Sequence, residues 1–316
     1  MDALERQWNI RAARLDYLPI GFGSHHWEAV GADGTRWFVS ADDLRAGHHA
    51  GLAPDDVFVV LDRAFRTAAA LRDGAGLEFV LAPIPSDRGP VVRRLDARYA
   101  IRVEPLVEGE VGEFGEFEHP EERRRVGTLL GRLHAASQSV PPGLPGREDF
   151  VLPGRQALEE AFSQLDTPWD HGPFAEPARD LLRAHAGGVR DRLRAYDQRA
   201  ERVRDEPGRW VVTHGEPHSS NVIRDAAGGS WLVDWDTTLV GPRERDLWMV
   251  LDEDLTGWDE YRDVTGSVRL NEDALDLYRE RWALAEIGIY VAEFRRPHEE
   301  TEDTRISWEE LGEYLS

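Results

Sequence analysis

His214-Gly215-Glu216-Pro217-His218-Ser219-Ser220-Asn221, followed by Leu232-Val233-Asp234-Trp235-Asp236, decides the fold. An acid stands five places before an amide, and a second acid follows a hairpin pattern. Val222-Ile223-Arg224 and Ser230-Trp231-Leu232-Val233 read as strands, with Asp225-Ala226-Ala227-Gly228-Gly229 as the turn between them. Antiparallel pairing puts Asn221, which enters the first strand, and Asp234, which leaves the second, at the same open end. Glu216 lies in the loop just before it. Two hard oxygen ligands and a spare carboxylate at one point are what a magnesium nucleotide and a hydroxyl nucleophile require. Asp234 and Asn221 are therefore the candidate metal ligands. Glu216 is the candidate group that takes or orients the hydroxyl proton.

His214 and His218, four apart, also invite a reading as zinc ligands on one helical face. Pro217 between them opposes it, because it lacks an N–H and keeps Glu216 extended. The order of the glutamate and histidines also differs from HExxH.

The residues His214-Gly215-Glu216 to Asn221 and Val233-Asp234-Trp235-Asp236 resemble the catalytic and metal motifs of the aminoglycoside phosphotransferase family. Leu129-Leu130-Gly131-Arg132-Leu133-His134-Ala135 is similar to a helix midway along such chains. Gly241-Pro242-Arg243-Glu244-Arg245-Asp246-Leu247-Trp248 is similar to the segment after the metal aspartate. Leu18-Pro19-Ile20-Gly21-Phe22-Gly23-Ser24 is similar to a glycine-rich nucleotide loop. The ordered set spans most of the chain and is specific, whereas the glycine loop alone is weak.

The resemblance implies an α+β, two-lobed protein-kinase-like fold. Residues 1–104 would form a small β-rich nucleotide-binding lobe, and residues 105–316 a larger, mostly helical catalytic and substrate-binding lobe. The implied activity is Mg2+-dependent transfer of the γ-phosphoryl group of ATP or GTP to a hydroxyl of a small polar molecule. Aminoglycoside or aminocyclitol antibiotics are among the implied acceptors, which would make the chain a resistance enzyme. A nucleotide-binding module without transfer activity is the alternative.

By the same resemblance Gly21, Gly23 and Ser24 approach the nucleotide phosphates, and Glu104 and Leu106 belong to a hinge that pairs with the base through its backbone. His214 joins Glu216 in the catalytic loop and orders it. Asp246 ties that loop through backbone N–H groups. Asp236 reads either as an acid behind the metal ligands or as an exposed loop acid, and His218 as a substrate contact or a loop cap.

Two departures stand out. Glu216 occupies a place where the family pattern has an aspartate, so its carboxylate sits one methylene farther from the backbone. The chain also has no lysine: all 38 basic residues are arginine. Kinase-like folds use a third-strand lysine to hold phosphates, and Ser40 or Ala41 stands near that position. The helix candidate Leu61 to Leu71 lacks the glutamate that normally pairs with it. Arg36, Arg93 and Arg94, on strands, are the candidate replacements, since a guanidinium suits phosphate.

The net charge of −22 opposes a general nucleic-acid binder and favours cationic partners. No apolar run is long enough to cross a membrane, and the charged start Met1-Asp2-Ala3-Leu4-Glu5-Arg6 lacks a signal-peptide core. Without cysteine, disulfides and thiolate metal sites are excluded. A cytoplasmic location is the default expectation. Among elements, Ala29-Val30 and Trp37-Phe38-Val39 flank a hairpin turn at Gly31-Ala32-Asp33-Gly34. Phe79-Val80-Leu81, Val91-Val92 and Tyr99 to Val103 read as strands, and Glu104 to Gly109 as an extended linker. Val126, Leu129, Leu130 and Leu133 have helical spacing after Pro120-Glu121-Glu122. Pro177 to Asp205 and Ala274 to Arg296 read as further helices. On the last, Glu286, Tyr290 and Glu293 share a face and could hold ammonium groups of a cationic small-molecule acceptor, although a solvated polar stripe explains the spacing as well.

Overall fold

The computed structural model describes residues 1–20, 24–45, 52–115, 117–205 and 210–316. It is a mixed α+β chain with a β-sheet N-terminal region and a mostly helical remainder. Helix α1 (Asp2–Trp8) leads into strands β1 (Ala12–Leu18), β2 (Ser24–Gly31) and β3 (Arg36–Asp43). Helix α2 (Pro54–Ala69) is followed by a π-helical turn at Ala70–Gly74. Strands β4 (Val92–Arg94) and β5 (Tyr99–Pro105) complete an antiparallel sheet of order β1-β2-β3-β5-β4.

The two faces of this sheet differ in chemistry because successive side chains alternate. Ala29, Val39, Ile101 and Val103 are buried on one face with Leu4, Trp8 and Ile10. The opposite face carries His26, Ser40, Asp42, Arg102 and Glu104, all buried and all polar. Helix α2 covers part of that face, with Phe65 beneath the Arg102 guanidinium at 4.3 Å. Its start lies ahead of the expected Leu61, because Pro54 at the first turn with Asp55 and Asp56 makes a better N-terminus.

Helix α3 (Pro120–Ala135) begins on the expected proline and buries Val126, Leu129, Leu130 and Leu133. Gly127 lets it approach the backbone of Gly257, where any Cβ would overlap the Gly257 carbonyl. The short strands β6 (Gly146–Arg147) and β7 (Trp210–Thr213) flank β10 (Leu239–Pro242) in a second sheet. Strands β8 (Val222–Arg224) and β9 (Ser230–Leu232) form the expected hairpin, with Val222 opposite Leu232 and Arg224 opposite Ser230. Helices α6 (Glu244–Val250) and α7 (Trp258–Thr265) follow.

Helices α4 (Arg155–Ser163), α5 (Ala175–Arg204), α8 (Glu272–Phe294) and α9 (Glu302–Leu315) make a separate helical unit. Within it Tyr196 donates to the Phe150 carbonyl at 2.9 Å, and Gly154 packs on the backbone of Gly288. By density of internal contact the compact units are Met1–Glu148 with Arg209–Leu270, and Asp149–Gly208 with Asn271–Ser316. That partition follows a different line from the expected 1–104 and 105–316 lobes.

Two local expectations are corrected. Phe79-Val80-Leu81 is not a strand of the N-terminal sheet. It pairs with β9 through the Leu232 N–H to the Phe79 carbonyl (2.8 Å) and the Leu81 N–H to the Leu232 carbonyl (3.0 Å). Pro83 and Pro85 lack the donors to extend it. Glu104 and Pro105 are the end of β5 and not linker, since Phe38 and Trp37 pair with them. No helix among the described residues is long and apolar enough to cross a membrane.

Candidate active site

The hairpin brings its ends together as the sequence implies. The Val233 N–H donates to the Asn221 carbonyl at 3.1 Å, so Asn221 and Asp234 leave the ribbon side by side at its open end. Asp234 adopts a left-handed conformation, φ 62°, one of few non-glycine residues to do so. Such strain collects at functional positions, and aspartate tolerates it better than most residues. Asn221 is buried, and its side-chain N–H donates to the Glu216 carbonyl at 2.9 Å. That bond turns the amide so that its oxygen is the atom left to meet a cation, and it fixes Glu216 beside it.

His214 is fully buried, and both of its ring nitrogens are engaged within the loop. Nε2 donates to the Val233 carbonyl at 2.7 Å, and Nδ1 accepts the Glu216 N–H at 3.2 Å. Burial pushes its pKa down to about 4, so the ring is neutral. With both nitrogens bonded inside the loop the ring orders it, and no nitrogen lone pair is free for zinc. His218 lies beside Asn221, whose side-chain N–H also donates to His218 Nε2 at 3.2 Å, with Nδ1 against Ser220 Oγ at 2.9 Å and the ring edge-on to Phe114. Among the described residues no group of three or more His, Cys, Asp or Glu is placed to hold a metal ion. A metal here would rest on Asn221, Asp234 and oxygens brought by a ligand, a donor set of hard oxygens that fits Mg2+.

Asp246 accepts the backbone N–H of His214 at 2.9 Å and of Gly215 at 2.7 Å. The His134 ring also donates to it at 2.9 Å, and Tyr261 O–H meets the other nitrogen of that ring at 2.8 Å. Burial alone would raise the Asp246 pKa, but the His134 hydrogen bond and nearby positive charge hold it below the ordinary value. Arg245 reaches Thr213 Oγ1 and the Thr237 carbonyl, bracing the loop from below. Asp236 is half-buried in the turn after Trp235, whose ring is fully buried against His214 at 4.5 Å.

On the N-terminal sheet, Ser24 donates to Asp42 at 2.7 Å. Gly21 and Gly23 lie outside the described residues. The Leu106 N–H is engaged by the Arg36 carbonyl at 3.3 Å, so that expected hinge donor is taken up by the sheet. Glu104 is buried, and burial raises its pKa to about 7 against the pull of Arg102. His26 bonds Ser40 at 3.1 Å, and burial with the charge of Arg102 pushes its pKa down to about 4. None of the three candidate arginines faces this network. Arg36 pairs with Glu28 and Glu108, Arg93 with Gln7, and Arg94 with Asp55 and the Pro54 carbonyl.

Arg102 and Asp42 were not singled out by the sequence, and neither was His134 as part of the loop's support. Alternation would have exposed the first: Ala100-Ile101-Arg102-Val103-Glu104 puts two charges on one face of an otherwise apolar strand. On α8, Tyr290 O–H donates to Glu310 of α9, with Glu286 close by, while Trp282 Nε1 donates to Tyr314 at 3.0 Å. The expected polar stripe is thus half-buried against α9, and Glu310 joins Glu286 and Tyr290.

The chain resembles Protein StrN of Streptomyces griseus at 28% identity, over 95% of this chain and 86% of the relative. Among solved structures, a spectinomycin phosphotransferase in complex with ADP and spectinomycin superposes with a TM-score of 0.74 at 14% identity, covering 99% of this chain and 92% of that one. A microcompartment-associated aminopropanol kinase gives 0.64 at 14% identity, covering 99% and 94%. An amicoumacin kinase in complex with AMP-PNP and Ca2+ gives 0.59 at 13% identity, covering 99% and 90%. Residues 29–284 match the model of the phosphotransferase enzyme family. The chain belongs to that family and has its protein-kinase-like fold.

Proposed function

We propose that this phosphotransferase moves the γ-phosphoryl group of ATP or GTP to a hydroxyl of a small polar acceptor. The placement of Glu216 beside Asn221, at the end of the hairpin that carries Asp234, is the observation behind this reading. Asn221 and Asp234 would hold Mg2+, which when bound neutralises charge on the phosphate oxygens. Glu216 orients the acceptor hydroxyl and takes its proton. The hydroxyl oxygen forms the new bond to phosphorus as the bond to the nucleoside diphosphate oxygen breaks. The neutral His214 ring and Asp246 hold the loop still, so that orientation is built in before the acceptor arrives.

A spectinomycin phosphotransferase and an aminopropanol kinase among the fold neighbours both act on amine-bearing alcohols, which supports an acceptor of that kind. The net charge of −22 favours a cationic one. Glu286, Tyr290 and Glu293 are the proposed contacts for its ammonium groups. An acceptor screen with γ-labelled ATP and GTP across aminocyclitols, aminoglycosides and amino alcohols tests the reading. Mg2+-dependent transfer of label to an alcohol is expected. Nucleotide binding with no transfer to any member of the panel would favour the non-catalytic module instead.

A further inference from the structure

The phosphate chain of a nucleotide needs a positive group beyond the metal, and this chain has no lysine. The buried cation on the polar face of the N-terminal sheet is Arg102. It stands on β5 directly across from Ser40 of β3, a serine near the position where the family pattern has a lysine. Its Nε donates to Glu104 at 2.8 Å and its Nη1 to the Asp42 carboxylate, and its plane lies over Phe65. Those bonds leave Nη2 with no hydrogen-bond partner among the described residues. After Asp42 and the Arg102–Glu104 pairing itself, the charge felt by both Arg102 and Glu104 is that of Asp234 at the hairpin end. One further polar atom is left open in this network: Glu104 Oε2 is buried with no partner among the described residues.

We propose that Arg102 is the phosphate-binding cation of this enzyme, reaching the nucleotide from β5 in place of a lysine on β3. The proposal rests on the phosphotransferase reading above. Asp42 and Glu104 do for Arg102 what a helix glutamate would do for a lysine: they hold the side chain extended and desolvated, which explains why α2 contains no glutamate. A planar fork fixed on two of its three nitrogens presents the third with little loss of conformational freedom. Arg36, Arg93 and Arg94, each turned to another partner, do not compete for the role.

The test measures binding of Mg·ATP, Mg·GTP, adenosine and guanosine to the full chain by calorimetry. Arg102→Met removes the cation. Because it strands two buried acids, the same measurement is made on Arg102→Met/Asp42→Asn/Glu104→Gln, which has no buried charge left in the cluster. In either folded variant, triphosphate affinity is expected to fall about tenfold or more while nucleoside affinity changes by no more than about twofold. Arg102→Lys should recover part of the loss, since charge returns without the fork. Unchanged triphosphate binding, or an equal loss for nucleoside and nucleotide, overturns the proposal and leaves the phosphotransferase reading standing. Wild-type protein that binds no nucleotide overturns both.

Discussion

The Asp246 carboxylate accepts the Gly215 N–H at 2.7 Å, and its other oxygen accepts the His214 N–H at 2.9 Å. One buried side chain from the start of α6 therefore sets the backbone that carries Glu216, and His134 of α3 completes its coordination. The position of the His214–Glu216 loop is set from two helices through a single acid.

Asp246→Asn keeps the shape but turns one oxygen into a donor facing backbone N–H groups. The loss of a fully buried, multiply bonded carboxylate should destabilise the chain by about 3–5 kcal/mol. The urea midpoint should drop accordingly, and kcat should fall in whatever fraction stays folded. A midpoint equal to that of the parent would show that the loop is held by something else.

Gly215 has φ 109°, and a Cβ there would overlap the Arg245 guanidinium and Thr237 Oγ1. Gly228 in the hairpin turn also has positive φ, 85°, but a Cβ there meets nothing within 4 Å. Gly215→Ala should therefore cost stability and activity together. Gly228→Ala should cost only the backbone penalty, about 1 kcal/mol, with activity kept. Equal effects of the two substitutions on kcat would contradict this account of the loop.

The hairpin was legible because its signals are local: a glycine-rich turn between two short apolar runs fixes which residues meet at the open end. Asp246 was legible only through the resemblance, since nothing within ten residues of it indicates what it binds. Arg102 escaped for a different reason. Its partner Asp42 lies 60 residues away on another strand, and only the register of β3 with β5 joins them. The strand reading of Phe79-Val80-Leu81 left its pairing with β9 unseen, because periodicity marks an extended segment without naming its neighbour. The start of α2 was missed because apolar spacing weighs the buried stripe, while the helix begins at the capping chemistry of Pro54.

His214 is held neutral, with its pKa pushed down to about 4 by burial from an unfolded value near 6.5. Between those values the unfolded chain binds more protons, so this residue makes stability rise with pH. Its contribution, about 3 kcal/mol from the size of the shift, is complete above pH 6.5 and is lost as pH falls towards 4. The ring proton resonances followed by NMR should show no titration near pH 6.5. A midpoint there would mean that the ring is exposed.

Glu104 has the opposite sign. Its pKa is raised to about 7, so between 4.5 and 7 the folded chain binds the extra proton and stability falls as pH rises. Glu104→Gln removes that dependence. Stability of the variant relative to the parent should therefore increase from pH 4.5 through 7 and level off above it. Denaturation midpoints at pH 5, 6, 7 and 8 measure the trend, and a difference that is flat with pH would show that Glu104 titrates normally.

Glu216→Gln and Asp234→Asn separate the two jobs of the hairpin end. Glutamine preserves the length and the backbone bonds to His214 and Asn221 but cannot accept a proton, so turnover should fall roughly 10²–10⁴-fold with nucleotide affinity nearly unchanged. Asparagine tolerates the left-handed conformation of Asp234 as well as aspartate does, so Asp234→Asn removes charge without adding backbone strain. Its effect should appear as a loss of the Mg2+ dependence of nucleotide binding, with the melting temperature of the free protein kept. The double variant should lose less turnover than the product of the two single losses, because a metal-bound phosphate and an oriented hydroxyl act together in one step. Full multiplicative losses would mean that the acid and the metal ligand contribute independently to the barrier.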